Sequence, residues 1–120
     1  MINRPVATWR TFTAYLLALA FILFSTKASG QISVAQFNAK WNSCNTVKWI
    51  SKLDGCDVVI YVDVTLSPEI PKKHKIQSIP TIIIFKGGIE VSRFTSDIRF
   101  KLVGTRKEVQ EEINRIKTIN

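Results

Sequence analysis

Two thiols carry most of the reactive chemistry available to this chain. Cys44 sits in "KWNSCNTVKW", residues 40–49, a polar run between two tryptophans, and Cys56 follows Gly55. A cysteine acts as a nucleophile through its thiolate, which a helix N-terminus stabilises. The residues just before Cys44, Asn42 and Ser43, are N-cap types, and Val47, Ile50 and Leu53 recur at helical spacing before Gly55. The expectation is a short helix over 44–54 with Cys44 at its start. On such a helix the twelve-residue separation of the thiols amounts to about 18 Å, beyond the reach of a disulfide. One His and two Cys cannot supply the four ligands of a structural zinc site, and no motif calls for a cofactor.

The elements that must position Cys44 follow from periodicity. "ISVAQF" (32–37) reads as a strand. "DVVIYVDV" (57–64) is a nearly continuous β-branched and aromatic run, the pattern of a strand buried on both faces. "SPEIPKKHKI" opens with a Ser67 cap and Pro68 at the first helical position, and Pro71 keeps that helix short. "IIIFKGGIEVSRF" reads as two strands joined through Gly87-Gly88, because primed hairpin turns need positive φ. In "TRKEVQEEINRI", Thr105 and Glu108 form a capping box, with Val109, Ile113 and Ile116 on one face. The order β-α-β-α-β-β-α predicts an α/β domain with a mixed four-stranded sheet flanked by helices, one pair of strands parallel and the hairpin antiparallel.

Residues 1–30 differ from the rest. Arg4 and Arg10 precede the apolar run Phe12–Phe24, and Ala28 and Gly30 follow as small residues. That is the order of a signal peptide, cleaved before Gln31, and it predicts export to a periplasmic or extracellular compartment. The alternative is an uncleaved membrane anchor. The 16 residues between Arg10 and Lys27 span about 24 Å as helix, short of roughly 30 Å of hydrocarbon. The remaining segment, 31–120, is one small domain. Without Arg4, Arg10 and Lys27 it carries 14 Lys and Arg against 9 Asp and Glu, a net charge of +5. Its densest basic run, "KKHK" at 72–75, lacks the interleaved aromatics of a nucleic-acid stacking platform, so nucleic acid is not an expected partner.

Laid in order, "FNAKWNSC", "YVDV", "SPEIPKKHKIQSIPTIIIFKGG" and a capped final helix resemble the thioredoxin family over roughly residues 32–117. The resemblance implies a thioredoxin-like fold and a cis proline at Pro80. It also implies a surface around Trp41, Ile79 and Pro80 on which the main chain before the proline holds an extended peptide. The family pairs two cysteines in W-C-x-x-C, and here the residues after Trp41 are Asn42, Ser43, Cys44 and Asn45. Without a gap, the two cysteine positions fall on Asn42 and Asn45; a one-residue gap puts Cys44 on the second. The family's buried acid before the first-strand Phe is replaced by Gln36, an amide that cannot exchange a proton near neutral pH. "TSDIRFKLVG" is longer than the family's connection to the last helix, and Phe94, Phe100 and Leu102 predict a partly packed loop or strand extension, with ordinary burial expected before use as a contact surface.

Two functions therefore stand side by side. One is a protein- or peptide-binding module that has lost dithiol chemistry. The other is a monothiol oxidoreductase or folding factor with Cys44 as nucleophile, whose mixed disulfide an external thiol resolves. A small anchored subunit of an envelope complex is a third possibility if the N-terminal run is retained.

Overall fold

The computed structural model describes residues 30–119. The export segment expected over 1–30 lies, but for Gly30, outside them. Among the described residues no helix is long and apolar enough to cross a membrane.

The sheet has the order β2-β1-β3-β4, built from β1 (Ile32–Asn38), β2 (Val58–Asp63), β3 (Thr81–Lys86) and β4 (Ile89–Phe94). β1 runs parallel to β2 and antiparallel to β3, which pairs antiparallel with β4. Every residue of β1 is buried, as a central strand covered on both faces requires. β2, expected to be buried on both faces, is instead an edge strand with Tyr61 exposed. Its β-branched run reflects strand propensity, which central and edge strands share.

The β3-β4 turn is the expected one. Gly87 and Gly88 take φ of 61° and 81°, and Lys86 pairs directly with Ile89. Primed turns need such angles, which glycine reaches without steric cost.

Helices α1 (Glu69–Lys73) and α2 (Arg106–Lys117) complete the regular elements. Ser67 makes no side-chain cap on α1, whose cap position is Pro68. The capping box on α2 is present in full: Thr105 Oγ1 accepts from the Glu108 amide, and Glu108 accepts from the Thr105 amide. Val109, Ile113 and Ile116 of α2 pack with Val34, Ile82 and Ile84 on one sheet face. On the other, Phe37, Ile83 and Phe85 meet Ile70 and Ile76 of the α1 region. The sheet is thus sandwiched, and the parallel β1-β2 pair and the hairpin are both as expected.

The helix expected over 44–54 is not formed. The chain makes two 3₁₀ segments, Lys40–Asn45 and Lys48–Lys52. Val47, Ile50 and Leu53 are spaced strictly three apart, the period of a 3₁₀ helix, and all three are buried. An α-helix would rotate that stripe away from the core. The break comes at Thr46 and Val47, both extended.

Candidate functional site

β1 ends in Asn38, and the antiparallel pairing of Phe37 with Thr81 brings Ile79-Pro80 out of the sheet at the same end. The Lys40–Asn45 segment turns back over it. Asn42, only 3% exposed, has φ −107° and ψ 23°, outside helical values, and this places its amide among neighbours. Its Nδ2 donates to Asn38 Oδ1 at 3.1 Å and to the Phe100 carbonyl at 3.2 Å. Its Oδ1 accepts from Asn45 Nδ2 at 2.8 Å. Asn38 Nδ2 in turn donates to the Asn42 carbonyl at 3.3 Å and to Thr46 Oγ1 at 3.1 Å. Three asparagines and a threonine thus form one connected set of buried and part-buried hydrogen bonds, in which each bond holds the next group in place.

Gln36 adds a second clamp. It is 1% exposed, accepts from the Val47 amide at 2.8 Å and donates to the Val47 carbonyl at 3.0 Å. Both main-chain groups of Val47, orphaned by the break between the 3₁₀ segments, are thereby paired. A carboxylate could accept from the amide but could not donate to the carbonyl.

The Ile79-Pro80 bond is cis. Both side chains are buried, while Thr81 Oγ1 donates to the Ser78 carbonyl at 2.7 Å. The Ile79 main chain makes no hydrogen bond among the described residues.

No family model matches the chain. Solved structures do. A mutant thioredoxin from Halobacterium salinarum superposes with a TM-score of 0.63 at 16% identity, over 82% of this chain and 85% of that one. The reduced thioredoxin pre-protein of Schistosoma mansoni gives 0.62 at 22% identity, over 82% and 90%. The oxidised thioredoxin of Plasmodium falciparum gives 0.57 at 20%, over 82% and 88%. The chain has a thioredoxin-like fold.

Within this thioredoxin-like domain the residues singled out from sequence are only partly brought together. Trp41 is exposed, and its ring meets that of Phe100 edge-on at 5.2 Å between centroids. Cys44 is exposed and free, near the C-terminal end of its 3₁₀ segment rather than at a helix N-terminus. The expected place at the start of a helix is therefore not taken up, and its side chain makes no hydrogen bond among the described residues. Cys56 is also free. Burial pushes its thiol above the ordinary value, and Sγ donates to the Leu53 carbonyl at 3.7 Å, which makes it a structural thiol. No group of three or more His, Cys, Asp or Glu that could hold a metal occurs among the described residues.

Sequence reasoning singled out Asn42, Asn45 and Gln36 as departures but missed their partners. Asn38 directly ends a buried strand, a place where an amide must find a hydrogen bond, and that was the available signal. Nothing in the local sequence points to the Phe100 carbonyl, 58 residues from Asn42.

Proposed function

We propose that this chain is an exported, thioredoxin-like binding module whose dithiol centre has been replaced by a fixed amide network. The observation that carries the loss of chemistry is the 2.8 Å bond from Asn45 to Asn42. It joins the two positions on which the resemblance, read without a gap, puts the cysteine pair. The neighbouring proton-relay position is held by Gln36, whose amide is committed at both ends to Val47.

Binding is supported by the polar groups left over. The unpaired Ile79 main chain lies where Ile79 and Pro80 are buried, and peptide groups without partners are rare in such places. An extended peptide would supply the missing bonds, with Pro80 shaping the loop and Trp41 as an exposed aromatic at the same end of the sheet. The partner class is accordingly a protein or peptide, with no cofactor and no metal.

A monothiol role for Cys44 has one observation in its favour, the exposure of the thiol. It lacks both a resolving cysteine and the helix N-terminus that would activate it.

The test is a titration of the ¹⁵N-labelled full chain with extended peptides, followed by NMR. The Ile79 amide and the Trp41 indole N–H are expected to shift together. If neither moves at millimolar peptide, the binding reading fails. Export is tested separately by the mass of the protein recovered from the producing cell, expected to lack residues 1–30; a full-length mass would favour the anchor.

A further inference from the structure

The connection between β4 and α2 is a small, rigid hairpin. The Val103 amide donates to the Thr95 carbonyl at 2.8 Å, the Asp97 amide to the Lys101 carbonyl at 2.9 Å, and Ser96 bridges Leu102. The Asp97 carboxylate accepts from the main chains of Arg99 and Lys101 at 2.8 and 3.2 Å, and from the Arg99 guanidinium at 3.2 Å. Phe94 and Leu102 pack against the core and anchor the base. The tip is the opposite. Ile98 is 95% exposed and Phe100 43%, beside Trp41 at 64%. Phe100 adopts a φ of 62°, a left-handed backbone that bulky residues rarely take, and in that conformation its ring rests on Trp41. An ordered turn that holds large apolar side chains in water loses little conformational freedom when a partner covers them, which is the character of a binding hot spot.

Charge selects the partner. Lys40, Arg99 and Lys101 are exposed and adjoin Trp41, Ile98 and Phe100 along the chain. The hairpin's one carboxylate, Asp97, is held by its own turn and pairs with Arg99, so Lys40 and Lys101 carry the surplus positive charge. A cationic rim favours a surface bearing carboxylates and disfavours a second copy of this basic chain. The direction of β1 bears on a lipid partner. β1 enters at Ile32 and ends at Asn38, beside Asn42 and the hairpin, so Gly30 and the tip lie at opposite ends of a strand about 20 Å long. If the N-terminal run stays in a membrane, the tip points away from it.

We infer that Ile98, Phe100 and Trp41, rimmed by Lys40, Arg99 and Lys101, form the docking surface for an acidic protein segment that presents an apolar side chain between carboxylates. The inference rests on the binding-module reading and extends it from the Ile79 loop to the hairpin. The partner segment lies across the tip and over Asn42, whose amide holds the Phe100 carbonyl.

The test uses the ¹⁵N-labelled full chain in zwitterionic nanodiscs and three probe peptides of equal length: Leu-Phe flanked by Asp and Glu, Leu-Phe flanked by Lys, and Ser-Ser flanked by Asp and Glu. Only the first is expected to shift the Ile98, Arg99 and Phe100 amides with the Trp41 indole, and added salt should weaken it. Ile98→Ser, at a position too exposed to affect folding, should lower that affinity about tenfold. Equal binding of the Lys-flanked probe overturns the inference. So do tip shifts on moving to anionic nanodiscs without peptide, which would mark a lipid surface, or shifts that grow with protein concentration alone, which would mark a second copy. Shifts at Ile79 with none at the tip overturn the hairpin surface and leave the binding module standing. Shifts at neither place overturn both.

Discussion

Lys40–Thr46 and the pair formed by the Ile79-Pro80 loop with the 95–103 hairpin lie at the same end of the sheet, and they dispose of their polar and apolar groups in opposite ways. The first turns inward: Asn42 and Asn45 bond each other, Asn38 ties Asn42 to Thr46, and Gln36 clamps Val47. The second leaves groups open, with the Ile79 main chain unpaired among the described residues and Ile98 almost wholly in solvent. A stretch whose polar groups are mutually satisfied is suited to holding shape. A stretch with unspent hydrogen bonds and exposed apolar area is suited to holding a partner. The exposed side chains of Lys40 and Trp41 are exceptions in the first stretch and belong with the open side.

The largest effect is expected at Gln36. Gln36→Glu keeps the shape and the bond from the Val47 amide but leaves the Val47 carbonyl facing a carboxylate. Urea unfolding at neutral pH should show a loss of about 2–4 kcal/mol. Burial raises the folded-state pKa of such a carboxyl. The variant should therefore be most stable below the unfolded glutamate value and weaken as pH rises from there. A variant as stable as the parent at neutral pH would show that the clamp contributes nothing.

Asn42→Ala should cost somewhat less, about 1.5–3 kcal/mol, because Asn38 and Asn45 can turn partly to water. It sharpens the comparison, since Asn42 Nδ2 is also what holds the Phe100 carbonyl. Amide exchange at Asp97 and Val103 should accelerate in this variant beyond the change in global stability. Exchange that follows global stability alone would mean that the hairpin stands without the network.

The smallest effect is a pH dependence on the open side. His74, tilted against Phe37 and edge-on to Phe85, is held below its ordinary 6.5 by burial first and then by Lys73, with Arg93 acting the same way and Glu90 opposing. The fold prefers the neutral ring, so stability is unaffected above about 6.5 and falls as pH drops toward the folded-state value. Glu90, lowered chiefly by its hydrogen bond from Arg93, contributes above 4.5 and loses that contribution only below it. A decline between pH 6.5 and 5 that His74→Phe removes is the expected result. A decline that survives the substitution would assign it elsewhere.

Much of the fold was legible because local chemistry fixes it. Gly87-Gly88 can hardly be anything but a tight turn between β-branched runs, and Thr105 with Glu108 marks a helix start. The errors share a cause in tertiary context. Spacing of three at Val47, Ile50 and Leu53 fits a 3₁₀ turn better than an α-helix, yet the preference emerges only when those residues meet the sheet. The strand propensity of β2 does not say whether a neighbour covers its outer edge. In the site, asparagine at 42 and 45 was plain from the sequence, whereas the hydrogen-bond network that joins them required Asn38, Thr46 and a carbonyl from a distant hairpin. Phe94 and Leu102 are half-buried against the core, as a partly packed loop implies, while Phe100 is turned outward in a left-handed backbone conformation.

If the amide network stands where dithiol chemistry would have been, the full chain should not reduce insulin disulfides under dithiothreitol. Measured beside Cys44→Ser, it should show no rate above the reductant alone and no difference between the two proteins. Turnover that disappears in Cys44→Ser would contradict that prediction and make Cys44 the nucleophile of a monothiol enzyme.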